Sequence, residues 1–434
     1  MPHITPSDVH AILAKHMLVD GYPIVLDIEN STPFILRDAA AGKEYLDFFT
    51  YFASSPFGNN HPKMLDPGFI GRLGRVAVNK VSNSDIYTVE MAELVAAMDR
   101  VVIPDYLPHL FFVSGGALAV ENALKVAFDW KVQKNLAAGR GEKGSKIIHF
   151  RHAFHGRTGY TLSLTNTADP RKYQYFPLFD WPRIDPPVLL FPVDEEVAMR
   201  NDGTALAAVE QAFTDNRDEI AAVLIEPIQA EGGDNHVTDR FLQGLKELCD
   251  RHEAIFILDE VQTGMGLTGT MWAHQGQDVI PDIIAFGKKT QVCGIMAGPK
   301  IDEVERNCFV ESSRINSTWG GNLVDMVRFT RIIEIMEEDN LVENARVVGE
   351  YLLARLGELA SEFGKVSNVR GRGLLCAFDL PDEASRDACL NSCMDNGMLV
   401  LGCGTVSVRF RPPLQTTTEH VDQGIDVLRK VLSS

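Results

Sequence analysis

The middle of this chain alternates short apolar runs with segments of helical periodicity, and this alternation constrains the fold more than any other feature. Five apolar runs predict buried strands, at residues 109–113, 146–150, 221–226, 254–259 and 283–287. Between the first two, residues 117–131 place Val120, Ala123, Leu124 and Ala127 on one helical face. The pattern predicts an α/β fold with a mostly parallel sheet and helices on both of its faces.

The pattern changes after about residue 320. A long helical stripe is followed by strand-like segments at 373–378 and 406–410, with a helix near 384–396 between them. The stripe consists of Leu341, Ala345, Val348, Leu352, Leu356 and Leu359. Since 434 residues are too many for one simple core, we predict a large domain over 53–320. A smaller α+β domain spans 321–434, and residues 1–52 are expected to pack beside it.

Charge and composition exclude several classes of protein. The formal net charge of −18 disfavours binding to nucleic acid or to an anionic membrane surface. No apolar run is long enough to span a membrane, and the first residues do not resemble a signal peptide. The seven cysteines form no paired framework, and the pair Cys389 and Cys393 has no second pair nearby to complete a metal site. We therefore predict a cytoplasmic protein with reduced thiols.

Residues suited to binding an anion and a planar ring follow the first two predicted strands. Small residues at 114–117, among them Gly116 and Ala117, would let backbone N–H groups approach a phosphate at a helix N-terminus, although a tight turn alone also needs glycine. In the segment 152–158, Phe154 could stack on a ring and Arg157 could bind a carboxylate. The alternative is a polar loop with one core aromatic, and the two histidines of this segment lack a third zinc ligand.

Charged residues end two of the other three predicted strands, and Lys288 directly follows the third. Glu226 and Asp259 end apolar runs, so each needs a cation or a donor, for which a pyridinium nitrogen or a metal would serve. The glycines at 264–269 fit GxGxxG but do not directly follow a strand, which argues against a dinucleotide site. Burial would lower the pKa of Lys288 and favour a nucleophilic amine, whereas Lys289 is the better candidate for a solvent-exposed lysine.

Taken together and in this order, these motifs resemble the class III, or ω-amino, aminotransferases, a branch of the fold-type I pyridoxal-phosphate enzymes. The resemblance covers nearly the whole chain and implies a large domain with a mostly parallel seven-stranded sheet plus a small domain formed by both termini. Finer motifs at 112–125, 155–167, 179–183, 287–294 and 316–322 resemble the lysine 6-transaminase subgroup. Many family members have a glycine-rich stretch after the lysine that binds the cofactor. In this chain residues 289–293 contain no glycine, which matches the lysine 6-transaminase subgroup.

The resemblance implies pyridoxal 5'-phosphate as the cofactor and assigns roles around it. Lys288 would hold the cofactor covalently and carry the reaction proton, and Asp259 would pair with the ring nitrogen. Gln262 would contact the ring hydroxyl, and Phe154 would stack on one ring face. Gly116 and Ala117 would bind the phosphate, and Glu226 would lie beside the cofactor. Thr318 would reach the phosphate bound in the neighbouring subunit. The last role implies a homodimer with shared active sites.

The resemblance also implies the reaction, in which L-lysine and 2-oxoglutarate give 2-aminoadipate 6-semialdehyde and L-glutamate. Arg157 would bind the carboxylate far from the cofactor, and Arg409 the near carboxylate of the oxoacid, although Arg411 shares its strand face. Glu231 would mask Arg409 while lysine binds. The alternatives are an ornithine or GABA type of transaminase, a racemase or aminomutase that needs no oxoacid, and a cofactor-binding protein without activity.

Overall fold

The computed structural model describes residues 4–433, so the ends of the predicted terminal segments, residues 1–3 and 434, lie outside the described part. The strands are β1 Ile35–Arg37, β2 Glu44–Asp47, β3 His109–Val113, β4 Lys146–Phe150, β5 Arg183–Ile184, β6 Ile220–Ile225, β7 Ile228–Gln229, β8 Asn235–His236, β9 Ile255–Asp259, β10 Ile283–Phe286, β11 Cys293–Ala297, β12 Ser367–Arg372, β13 Leu375–Asp379, β14 Met398–Leu399, β15 Leu401–Cys403 and β16 Ser407–Phe410. The helices are α1 Val9–Leu13, α2 Thr50–Ala53, α3 Pro67–Ala77, α4 Val89–Val101, α5 Gly116–Ala137, α6 Gly159–Leu164, α7 Glu195–Asp215, α8 Asp239–Arg251, α9 Leu323–Glu338, α10 Leu341–Glu362, α11 Glu383–Asp395 and α12 Thr418–Leu432.

A seven-stranded sheet in the order β3-β11-β10-β9-β6-β4-β5 forms the centre of the molecule. All pairs are parallel except those of β11, which runs antiparallel to β10 and to β3. Alternate residues of the strands enter two apolar cores, one of which holds Ala123 and Leu124 of α5, while the other holds Phe241 and Leu245 of α8. The predicted α/β class, with a mostly parallel sheet between helices, is therefore confirmed.

The bounds of the predicted elements differ from the observed ones by small amounts with local causes. Strand β6 covers Ile220–Ile225, one residue earlier at each end than predicted, and the Glu226 carboxylate beyond it accepts two backbone N–H groups. Helix α5 extends well beyond residue 131, to Ala137. Strand β13 begins two residues later than predicted because Gly373, at a φ of 56°, forms a turn there.

The C-terminal part contains the four-stranded antiparallel sheet β12-β13-β16-β15. All six residues of the predicted stripe are buried in α10, namely Leu341, Ala345, Val348, Leu352, Leu356 and Leu359. From the N-terminal segment, β2 pairs in parallel with β14, so Leu46 lies opposite Met398. The division of the chain into domains at residues 52 and 320 stays a prediction.

One backbone segment near the N-terminus is unusual. Four consecutive residues, Thr50 to Ala53, have φ values of 40°, 54°, 59° and 63°, which is the left-handed region that L-residues seldom occupy in series. Over residues 4–433, no helix is long and apolar enough to cross a membrane, and the histidine, cysteine and acidic side chains form no group suited to a metal ion. The place of the protein in the cell stays a prediction.

Candidate active site

The carboxyl ends of β4, β6 and β9 meet the start of α5 and the turn after β10 around a cavity of about 330 Å³. Such an edge is where doubly wound sheets bind ligands. The cavity is lined by Gly116, Ala117, Phe154, His155, Gly156, Arg157, Glu226, Glu231, Asp259, Val261, Gln262 and Lys288. A larger cavity of about 690 Å³ lies beside α4, but its lining is mainly apolar and contains none of the predicted site residues. All of the sequence-predicted site residues except Arg409 and Thr318 therefore line this cavity, and Arg409 contacts two of the lining residues, Glu231 and Gln262.

Asp259 ends β9 and is almost fully buried. Its Oδ2 lies 2.8 Å from Nδ1 of His155, and its Oδ1 accepts the backbone N–H of Val261 at 3.1 Å. Burial acts to lower the pKa of His155, but the hydrogen bond and charge of Asp259 outweigh it, so the pKa is raised. From the sequence, His155 was considered only as a possible zinc ligand. Its position next to Phe154 in the same loop was the one signal that could have indicated its contact with Asp259.

The Glu226 carboxylate is held by backbone amides, one of which belongs to the loop that carries Phe154. Its Oε1 accepts the N–H of Phe154 at 3.0 Å, and its Oε2 accepts the N–H of Ala230 at 3.1 Å. Burial raises the pKa of Glu226 to about 7. The buried acid at this strand end thus has donors, as the sequence required, but they are backbone amides.

Lys288 follows β10 and has a φ of 55°, a strained conformation for a lysine. Burial lowers the pKa of its amine, and the nearby Asp259 only partly opposes this. The expectation for Lys289 is wrong, because its side chain is buried and its Nζ donates to the carbonyl of Gln262 at 3.1 Å. Within the short turn Lys288–Thr290, Lys289 and Thr290 are buried, whereas Lys288 is half-buried and lines the cavity.

The side chain of Gln262 links the cavity to the two arginines at the end of β16. Its Oε1 accepts from Nη1 of Arg409 at 3.3 Å and from Nε of Arg411 at 3.2 Å. Arg411 is also held by the buried carboxylate of Asp234, with Nη1 2.9 Å from Oδ2. Arg409 is instead paired with Glu231, which is 29% exposed, at 2.8 Å. The arginines therefore differ in how enclosed their partners are.

The mouth of the cavity carries two further cations. Arg157 is exposed, and its Cζ lies 5.9 Å from the centre of the Phe154 ring. Lys172 lies 5.8 Å from the same ring and binds Oε1 of Glu231 at 2.7 Å. Sequence reasoning missed Lys172, since its segment carries no recognisable motif.

Thr318 is not brought to the cavity of its own chain. It is exposed, and its carbonyl accepts hydrogen bonds from the hydroxyls of Ser82 and Ser84 at 2.6 and 3.1 Å. A role at its own cavity is therefore incompatible with its position.

Several features of this edge fit a planar, phosphorylated aldehyde cofactor. The free N–H groups at the start of the 22-residue helix α5 provide an anion site. The loop beside it packs too closely for side chains, since a Cβ added to Gly156 would lie 2.4 Å from Cβ of Ala117. Asp259 and Lys288 supply a buried acid and an amine of lowered pKa. Fold and site together define a pyridoxal-phosphate-dependent transferase.

Comparison with known proteins narrows this class. Residues 18–432 match the profile of the family described as aminotransferase class-III. The L-lysine-epsilon aminotransferase of Amycolatopsis lactamdurans is 51% identical over 98% of this chain and 96% of that protein, and the one of Streptomyces clavuligerus is 48% identical over 97% and 93%. The solved lysine aminotransferase from M. tuberculosis has a TM-score of 0.98 and 51% identity, and the match covers 99% of each chain. The chain belongs to the class-III aminotransferases, whose members use pyridoxal 5'-phosphate.

Proposed function

We propose that this enzyme transfers the ε-amino group of L-lysine to 2-oxoglutarate and releases 2-aminoadipate 6-semialdehyde and L-glutamate. The naming of its relatives from Amycolatopsis lactamdurans and Streptomyces clavuligerus as L-lysine-epsilon aminotransferases supports lysine as the donor. The observation that carries the proposal is the ion pair between Arg409 and Glu231 at 2.8 Å. A carboxylate-binding arginine that is masked by a movable acid suits an enzyme whose two substrates differ near the cofactor.

The residues around the cavity have separate tasks. When bound, pyridoxal phosphate would supply an aldehyde carbon that takes up the amino group and passes it to the acceptor, and a ring that accepts electrons while the substrate C–H bond breaks. Lys288 would hold the cofactor and move the proton at the reacting carbon, which its lowered pKa favours. Asp259 would keep the ring nitrogen protonated. The other contacts would come from Phe154 on one ring face, Gln262 at the ring hydroxyl, Glu226 through the Phe154 loop, and Gly116 and Ala117 at the phosphate.

Two arginines would sort the two substrates. Lysine presents an amino group near the cofactor and a carboxylate far from it, where exposed Arg157 is available. 2-Oxoglutarate presents a carboxylate at both positions. Arg409 would bind the near carboxylate, because Arg411 is already held by buried Asp234. Glu231 would neutralise Arg409 while lysine reacts and move aside for the oxoacid. This arrangement is called the Arg409–Glu231 gate below.

We extend the proposal to a homodimer with shared active sites. Thr318 is exposed and lies outside the cavity of its own chain, so it is free to reach the phosphate site of a second copy. In this proposal, residues 53–320 form the cofactor domain, and residues 1–52 and 321–434 form the smaller domain that closes the site.

The test is an absorbance spectrum of the enzyme loaded with pyridoxal phosphate, before and after adding L-lysine without oxoacid. We expect a band near roughly 400–430 nm to move to roughly 330 nm and to return with 2-oxoglutarate. Lysine labelled with ¹⁵N at the ε position should pass its label to glutamate, and α-labelled lysine should not. A spectrum that ignores lysine but responds to ornithine or GABA would contradict the assigned donor, and label transfer from the α position would contradict the assigned amine.

A further inference from the structure

Glu231 is placed between two cations rather than paired with one. Its Oε2 contacts Nη2 of Arg409 at 2.8 Å, and its Oε1 contacts Nζ of Lys172 at 2.7 Å. Burial acts to raise the pKa of Glu231, but Arg409 and Lys172 outweigh it, so the pKa is lowered and the side chain stays charged. The two cations are buried to different extents: the Arg409 side chain is 1% exposed, and the Lys172 side chain is 16% exposed.

Lys172 reaches this position from the outer loop at the mouth of the cavity. It ends the short turn Pro170–Lys172, whose start is held by Asp169 through the N–H of Arg171 at 3.1 Å. Its ammonium lies 5.8 Å from the centre of the Phe154 ring, within the range of a cation–π contact. A lysine has a flexible stem and three donors that can follow a moving carboxylate.

The charge balance of the gate depends on this second cation. When a substrate carboxylate takes Arg409, Glu231 must leave, and a partly buried carboxylate without a cation is costly. With Lys172 present, the open state contains two neutral pairs, Arg409 with the substrate and Glu231 with Lys172. Without Lys172, the open state leaves Glu231 unpaired, while the closed state keeps its contact with Arg409. Loss of Lys172 therefore favours the closed state.

On these grounds, and resting on the proposed function, we infer that Lys172 is a specificity-determining residue that holds Glu231 whenever Arg409 binds the oxoacid. It acts through Glu231 and does not itself bind the substrate. It should therefore favour the half-reaction with 2-oxoglutarate over the half-reaction with L-lysine.

The test uses Lys172→Met, with Lys172→Arg as the conservative variant and Arg171→Met as the matched control. Arg171 lies on the same turn, is 80% exposed and binds Asp169 rather than Glu231, so its loss removes a neighbouring positive charge that has no contact with the gate. Each half-reaction is followed separately by single-turnover absorbance. The pyridoxamine form is prepared by adding pyridoxamine phosphate directly, so that the oxoacid measurement does not depend on lysine turnover. Binding of glutarate, which has both carboxylates but no keto group, is measured on that form by calorimetry.

For Lys172→Met we expect the apparent Kd of 2-oxoglutarate and the Kd of glutarate to rise about fivefold to tenfold, the scale of one partly exposed ion pair. The lysine half-reaction should lose several-fold less. Lys172→Arg should restore most of the binding, and Arg171→Met should resemble the unmodified enzyme. In a Glu231→Gln background, Lys172→Met should add no further loss.

Equal losses in both half-reactions would overturn the inference, because Lys172 would then contact the carboxylate that the two substrates share. So would unchanged binding of glutarate, or a further loss in the Glu231→Gln background. Failure of the unmodified enzyme to react with L-lysine would contradict the proposed function instead, and it would leave the glutarate comparison able to decide the role of Lys172.

Discussion

The carboxylate of Asp259 is held by His155, whose Nδ1 lies 2.8 Å from Oδ2 of Asp259, and protein closes over both side chains. The raised pKa of His155 keeps a positive charge beside that carboxylate. His155 therefore fixes the position of the carboxylate that faces the cofactor ring nitrogen in the proposed function.

For this pair we expect Asp259→Asn to lower kcat by at least about a hundredfold, because the charge opposite the ring nitrogen is lost while the shape is kept. His155→Asn should lower kcat by about tenfold, as residues that position a catalytic group commonly do. The double variant should be no slower than Asp259→Asn alone, since His155 acts through Asp259. His152→Asn is the control, because His152 is exposed on the same loop. Fully multiplicative losses in steady-state kinetics would refute this coupling.

The Arg409–Glu231 gate predicts an asymmetric effect of Glu231→Ala. Removing the acid leaves Arg409 as an uncompensated cation near the cofactor, which disfavours the amino end of lysine and favours its carboxylate. We expect the lysine half-reaction to slow by about tenfold or more, while the 2-oxoglutarate half-reaction changes much less. Single-turnover rates for each substrate check this, and equal losses in both would be evidence against the gate.

The buried pair of Arg411 and Asp234 should respond differently to single and double substitution. Both side chains have no exposed surface, so removing one partner leaves an unpaired charge in the interior. Arg411→Met or Asp234→Asn alone should lower the free energy of unfolding by about 3–5 kcal/mol. The double variant should lose clearly less than the sum of the two, as measured by chemical denaturation. Additive losses would mean that the two groups do not stabilise each other.

The raised pKa of Glu226 predicts a pH-dependent cost of folding. Its pKa is about 7 in the folded protein against 4.5 as the ordinary value, so the folded state binds more protons between these values and stability falls as pH rises through them. The full shift corresponds to about 3 kcal/mol. The difference in the free energy of unfolding between Glu226→Gln and the unmodified protein should therefore shift in favour of the variant as the pH rises from 5 to 8. This shift is expected whichever of the two proteins is more stable at pH 5. Parallel stability curves would show that Glu226 is not the cause.

Local pattern predicted five of the seven strands of the central sheet, all except β5 and β11, and it singled out residues at the ends of those strands. An apolar run that ends in a charge is a feature of a few neighbouring residues, and it indicated both the strands and the places of Asp259 and Lys288. Parallel strands present their carboxyl ends at one edge, so the order of these motifs also implied that they meet. The family resemblance then supplied the roles.

Contacts between residues far apart in the chain were decided only by the tertiary structure. Local pattern predicted that Lys289 is exposed to solvent, but the loop after β9 covers its side chain. Arg409 and Arg411 are equivalent by strand periodicity, and they differ because one lies opposite Glu231 and the other opposite enclosed Asp234. Burial and partner choice depend on what the folded chain brings alongside a residue, whereas sequence alone determines which side chains are available and at what spacing.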